Sequence, residues 1–450
     1  MTMAMIELGD VSGEPAGGAE QAPEFRHGTA RRMVLAALAA VCAVALGGSA
    51  RPTAPLIRTL WSIPFSEIDI MTMTDGLVLV QTYSDGPPTL TAYDAVTGRA
   101  RWNRPLGDQA PQVDSFVRGG VLLMLGEQEV IETDLGNGSL NVETFGGTIT
   151  AVDTATGAEL WRQSAGYHLT AGPDTVLLAG RGRRGAPSTL RLVRTRDGGS
   201  LWERPLPEGA ELSVQLDEDR PVRVVTSTPD GLVTVLDYDD GVPTVSRRLP
   251  RAAQEVDANN SSSFSTAPGL LMESRTTAAT SAVTAYRIDT LERLWSVTAT
   301  TPNLWGQECG PVVCLVGENQ FRAVDPITGR ERWQGTGYPF IGMVPGNELI
   351  VVTESGAEAR PVLTEAATGR PVGQPGRGWV SSRGSTTGFA VLINPLAEDV
   401  TQAAVSRFDL TTGRSTLLGT IDLGSNSQCV GTGTILACQN ADRLVVNEIG

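Results

Sequence analysis

The chain has 450 residues and a formal net charge of −15, so it lacks the basic face that nucleic-acid binding requires, and no nucleic acid is expected as a partner. All 35 of its basic residues are arginine, which removes the phosphate-loop, Schiff-base and other lysine-dependent chemistries. With 51 glycines, 27 prolines and 41% hydrophobic residues, the composition fits a packed domain of many short strands joined by turns.

The complete absence of lysine is what a very GC-rich genome produces, as in actinobacteria. Residues 1–32 are polar and carry no apolar periodicity, so they read as a disordered cytoplasmic tail. Arg31 and Arg32 then abut the uncharged run Met33–Ala50, about as long as the shortest membrane-spanning helices. Arg26, Arg31 and Arg32 place the N-terminus inside by the positive-inside rule. We expect residues 33–50 to be an uncleaved signal-anchor helix, residues 51–55 a short linker and residues 56–450 an extracytoplasmic domain. Gly48-Ser49-Ala50 leaves open cleavage after Ala50, which would make the domain secreted.

Internal repetition dominates the rest of the chain. AYDAVTGRARW ends at Trp102, AVDTATGAELW at Trp161 and AVDPITGRERW at Trp333. The three share Asp94, Asp153 and Asp325, then Gly98, Gly157 and Gly329. Degenerate copies fill the gaps. LVRTRDGGSLW keeps Gly198 and Trp202; VLDYDDGVPTV keeps Asp237 and Gly241 but has Val245 in place of Trp. AYRIDTLERLW keeps only Trp295, LTEAATGRPVG keeps Gly369, and RFDLTTGRSTL keeps Asp409 and Gly413.

The motif has a physical logic. Alternating apolar residues before the Asp mark a strand with buried positions. Asp and Thr side chains then bind local backbone N–H groups while Gly takes a positive φ, which makes the turn. The Trp opens the next strand, where its ring can cover the gap to a neighbouring unit. These residues are therefore read as structural. Asp237–Gly241 resembles a calcium loop faintly, but it coincides with the repeat's turn, so no metal site is assigned.

The two ends complement each other. Leu60-Trp61-Ser62-Ile63-Pro64 looks like an outer strand without its hairpin, and residues 428–450 look like inner strands without an outer one. Pairing them would close a ring and remove open sheet edges. Cysteine usage fits an outside placement. Cys309, Cys314, Cys429 and Cys438 allow three pairings, of which the close pairs Cys309/Cys314 and Cys429/Cys438 are preferred in an oxidising compartment. Buried free thiols and a four-cysteine zinc site are the alternatives. His27 lies in the tail, leaving His168 alone in the folded portion, too few histidines for a histidine metal cluster.

The repeats resemble the tryptophan-docking motif of quinoprotein alcohol dehydrogenases, a motif also found in non-enzymatic propellers such as the lipoprotein of the outer-membrane β-barrel assembly machine. The resemblance implies an all-β, quinoprotein-like propeller of four-stranded blades over residues 56–450. Counting every hairpin plus the split unit gives nine, above the usual four to eight; we expect eight blades, with seven or nine as alternatives. The dehydrogenases resemble one another in adjacent cysteines over the quinone, a calcium site and a catalytic Asp. None of these signatures is present here, so no catalytic residue, cofactor or metal is assigned. The expected function is a non-enzymatic protein-binding or scaffolding module with an unidentified cell-envelope protein as partner. The alternatives are a quinone-dependent dehydrogenase and an extracytoplasmic ligand sensor. Candidate binding loops are the insertions Gly126–Gly146, Arg181–Ser188 and Asn259–Ser263.

Overall fold

The chain divides into two units, residues 1–54 and 55–450. The computed structural model describes residues 56–450 except 75, 84–85, 107–116, 135–139, 183–186, 218–219, 251–260, 278, 301–302, 318–319, 341–348, 354–360, 374–378, 381–387, 397–398 and 425–427. The tail 1–32, the expected anchor 33–50 and the linker 51–55 therefore lie outside the described residues. Among the described residues no helix is long and apolar enough to cross a membrane.

Every regular element among the described residues is a strand. The strands form nine four-stranded sheets, the number the hairpin count gives and one of the alternatives kept beside the expected eight. Eight sheets are antiparallel meanders in chain order, and the ninth joins the two ends of the chain. The expectation of eight follows the usual blade range, but the decayed units are real blades. Units that have lost Asp, Gly or Trp still keep the alternating apolar residues that pair strands, so a decayed turn motif does not remove a sheet. We number the blades 1 (residues 70–105), 2 (117–164), 3 (167–205), 4 (211–248), 5 (261–299), 6 (305–336), 7 (338–373), 8 (379–422) and 9 (429–449 with 57–64).

Alternation packs each blade against both neighbours. In Leu77–Thr82 of blade 1, Val78 and Val80 pack with Ala437, Leu444 and Val446 of blade 9. Leu79, between them, packs with Leu122, Met124 and Val152 of blade 2. Both faces are dry, and each such side chain contributes roughly 1.5–3 kcal/mol of burial. The same arrangement gives an apolar cluster at every boundary from blade 1 through blade 9 and back. The ring is closed, and the molecule is a β-propeller.

Closure is made by the chain termini. Ile57–Pro64 pairs antiparallel with Arg443–Ile449, with Ile57 opposite Ile449 and Pro64 opposite Arg443. Arg58 adds an exposed ion pair to Glu448 at 2.7 Å. Both close cysteine pairs form disulfides, Cys309–Cys314 and Cys429–Cys438. Their places differ: the first straddles the hairpin turn after Trp305–Cys309, whereas Cys429 and Cys438 face each other at the open end of their hairpin.

Two insertions read as loops are strand instead. Gly126–Gly146 belongs to a long hairpin, Val121–Asp134 with Leu140–Asp153, whose ladder runs out to Asp134 opposite Leu140. The fourth strand of blade 2 pairs with this hairpin only from Thr148 onward, so the outer part is a two-stranded ribbon. Ser261–Ala267 is the first strand of blade 5, with Ser261 opposite Thr276. Arg181 ends one strand and Pro187 begins the next, with 183–186 outside the described residues. His168 sits in the first strand of blade 3, opposite Leu178.

Candidate functional site

Blades 1 and 2 show how the repeat works. At the turn of blade 1, Asp94 Oδ1 accepts hydrogen bonds from the backbone N–H of Thr97 at 2.8 Å and from its hydroxyl at 2.9 Å. The Arg101 guanidinium at 2.6 Å, together with those donors, holds the Asp94 carboxyl well below the usual carboxylate range. Asp153 and Asp325 organise their turns alike: Thr156 lowers the first, and Arg332 with Thr328 lowers the second. Asp409 is lowered by the N–H groups of Thr412 and Thr411. Asp237 accepts from the N–H of Asp239 at 2.9 Å, the same turn geometry, so the faint calcium-loop resemblance is the repeat's own turn.

Six tryptophans each dock on the turn of the next blade. Trp102, 9% exposed, lies against Gly157 and donates its indole N–H to the Thr154 carbonyl at 2.8 Å. Gly157 has φ +72°, and a Cβ there would stand 2.7 Å from the indole, so both the turn and the ring demand glycine. Trp61, Trp161, Trp202, Trp295 and Trp333 dock the same way on Gly98, Gly198, Gly241, Gly329 and Gly369. Their N–H groups reach the carbonyls of Ala95, Thr195, Tyr238, Pro326 and Ala366 at 2.8–2.9 Å. Sequence-predicted residues of neighbouring repeats are thus brought into contact, each Trp with a Gly one unit on.

Three boundaries lack the docking Trp. Between blades 7 and 8, Gly373 stands at the Trp position and its backbone lies directly against Gly413. Between blades 8 and 9, Leu417 occupies the position and is exposed; blade 9 has no turn to receive a ring, because its last two strands come from opposite ends of the chain. Between blades 4 and 5, Val245 faces Leu291, which keeps the left-handed turn at φ +54° and fills the space with a side chain 1% exposed.

This third boundary opens a cleft of about 390 Å³, lined by Arg247, Arg248, Arg275 and Arg293 together with Glu273 and Tyr286. Glu273 and Tyr286 are each 4% exposed. Arg275 pairs with Glu273 at 2.7 Å, and the Tyr286 hydroxyl donates to the same carboxylate at 3.3 Å. Burial, then the Glu273 charge, pushes the Tyr286 phenol up to about 12. Arg248 pairs with Asp230 at 2.5 Å. Arg247 donates to the Leu291 carbonyl at 3.4 Å, and among the described residues neither it nor Arg293 has a carboxylate partner. Val245 and the missing Gly at 291 are separate departures from the motif along the chain. Only the order of blades in the ring shows that the two losses meet at one boundary.

No group of three or more His, Cys, Asp or Glu side chains that could hold a metal occurs among the described residues. Residues 58–144 and 146–417 match the protein family described as outer membrane protein assembly factor BamB. Solved structures similar to the chain include the crystal structure of BamB from Moraxella catarrhalis, at 12% identity, covering 87% of this chain and 99% of that one with a TM-score of 0.39. Another is the crystal structure of the computationally designed Ika8 protein, at 14% identity, covering 84% of this chain and 95% of that one with a TM-score of 0.40. No curated protein matches the chain.

Proposed function

This chain belongs to the family of the outer membrane protein assembly factor BamB, and from that premise we propose that its propeller is a non-catalytic protein-binding or scaffolding module of the cell envelope. In this reading residues 33–50 hold it at the membrane and the propeller faces outward. Family membership over most of the propeller carries the proposal. The two disulfides support an extracytoplasmic placement, since such bridges persist in oxidising compartments.

The geometry supplies a means of binding. Nine buried boundaries make a rigid frame, and from blade 2 the ribbon between Gln128 and Gly146 continues as two strands. A strand edge offers backbone N–H and C=O groups that a partner's extended segment can pair with, the β-augmentation mode of recognition. From the family we take this general role, protein binding in the envelope, and no particular machine. The arginine-only composition fits an actinobacterial host, whose envelope would supply a different partner.

A photoreactive residue at Glu132 in the ribbon, activated in living cells, tests the reading. An envelope-protein adduct from position 132 that is absent when the probe sits at Glu203, on the exposed outer strand of blade 3, is the expected result. No adduct from 132 or from other loop positions, together with quinone-dependent dye reduction by alcohols, would replace the scaffold with a dehydrogenase. Amine-directed reagents are unsuitable because the chain has no lysine side chain.

A further inference from the structure

The cleft between blades 4 and 5 has a counterpart that reveals its chemistry. Between blades 1 and 2, the residue two beyond the docking Trp faces the residue two beyond the turn glycine. These positions hold Arg104 and Glu159, which form an ion pair at 2.7 Å, with Arg104 also reaching the Gly157 carbonyl at 3.4 Å. Between blades 4 and 5 the equivalent positions hold Arg247 and Arg293. Arg247 still reaches the turn carbonyl, now that of Leu291, at 3.4 Å. The carboxylate that answered it has become a second guanidinium.

Two arginines in one cleft repel each other, and they do so in a chain whose net charge of −15 leaves carboxylates in excess. The other two arginines of the cleft are already committed, Arg275 to the buried Glu273 and Arg248 to Asp230. Arg247 and Arg293 are therefore the pair left to answer a charge that the described residues do not supply. A guanidinium presents a planar fork that matches phosphate and carboxylate oxygens. Thr284 and Ser296, linked at 3.0 Å, add hydroxyls to the same wall. A volume of about 390 Å³ lies within the range of small-molecule sites and holds a ligand of modest size.

We propose that this cleft binds a small multivalent oxyanion, a phosphate ester or a polycarboxylate, clamped between Arg247 and Arg293. The site is distinct from the ribbon of blade 2 and does not depend on the identity of a protein partner. Bound there, the ligand takes the place of the carboxylate that Glu159 supplies between blades 1 and 2, so it also ties blade 4 to blade 5 where the docking tryptophan is missing.

Isothermal titration calorimetry of the full chain in mild detergent, with inorganic pyrophosphate and with citrate as probes, tests the site and separates the two ligand classes. Saturable one-site binding of at least one probe is expected. Arg293→Glu restores the arginine–carboxylate pairing of blades 1 and 2, so it should weaken binding by roughly tenfold or more without lowering the thermal midpoint. Arg247→Gln should weaken it similarly, whereas Arg414→Gln, an exposed arginine of blade 8, should leave it unchanged. No saturable heat with either probe up to about 10 mM, the weak end of specific recognition, would overturn the proposal. So would equal weakening by Arg414→Gln, because binding would then follow net charge alone.

Discussion

The boundary between blades 1 and 2 and the boundary between blades 4 and 5 use the same backbone and opposite side chains. In the first, Trp102 covers Gly157 and Arg104 pairs with Glu159. In the second, Val245 faces Leu291, and Arg247 and Arg293 share an open cleft. The turn at Leu291 nevertheless keeps its left-handed conformation. Trp and Gly are therefore one device divided between two blades. Between blades 4 and 5, where the ring is lost, the glycine is lost with it, and a buried leucine in a left-handed turn, at a strain of about 1–2 kcal/mol, fills the space.

The largest expected effect comes from removing the device where it is intact. Trp102→Ala deletes a buried ring and its hydrogen bond to Thr154, and should cost about 3–5 kcal/mol. Urea unfolding monitored by circular dichroism would measure it. A loss under about 1 kcal/mol would mean that the apolar cluster of Leu79, Leu122 and Met124 holds the two blades without the ring.

A double-mutant cycle at the other boundary sharpens the comparison. Val245→Trp alone forces a ring into space that Leu291 fills, an overpacking cost of about 1–3 kcal/mol. Leu291→Gly alone relieves the strained φ but opens a cavity, for a net loss of similar size. Together the two changes recreate the Trp–Gly device, with Ile288 at the position whose carbonyl receives the indole elsewhere. The pair should be more stable than the sum of the singles by about 1–3 kcal/mol. Additive losses would show that the device needs more of its surroundings than these two positions.

Much of this ring was legible in the sequence because its signals are local. Asp94, Thr97 and Gly98 make their turn within a few residues, and the repeat spacing places Trp102 on the outer strand of the same blade. The pairing of Leu60–Pro64 with the C-terminal strands could also be read, since each end lacked what the other supplied. The hairpin count already gives nine, and eight is preferred only because propellers usually have four to eight blades; pairing depends on alternating apolar residues and not on Asp, Gly or Trp, so the decayed units still form sheets. The arginine cleft was not legible. Arg247 and Arg293 lie on different repeats, unremarkable singly in a chain whose every basic residue is arginine, and only the ring opposes them.

The smallest expected effect separates the turns by charge. Asp94, Asp153, Asp325 and Asp409 are all held below the usual carboxylate range by the donors of their turns, with an arginine donor added at the first three. A carboxyl whose folded pKa is depressed binds a proton less readily in the folded than in the unfolded chain. Its contribution is therefore complete above the ordinary value of about 4 and is lost as pH falls through the folded value. The turn of blade 5 has Arg287 in place of the Asp and makes no such contribution. The thermal midpoint should hold between pH 7 and pH 5 and decline below about pH 4. Asp153→Asn should lower the midpoint slightly at neutral pH, because an uncharged amide at this position cannot form the ion pair with the Arg196 guanidinium, which lies 2.9 Å from the native carboxylate. That gap should narrow as pH falls below the ordinary carboxylate range and the wild-type carboxyl itself takes up a proton. Replacing Arg287 by Gln should shift the curve equally at both ends, since no carboxyl is present at that position to titrate. A gap for Asp153→Asn that persists unchanged into acid would assign the aspartate's role to its shape and neutral hydrogen bonds, and would remove charge from the list of things distinguishing the intact turns from the turn of blade 5.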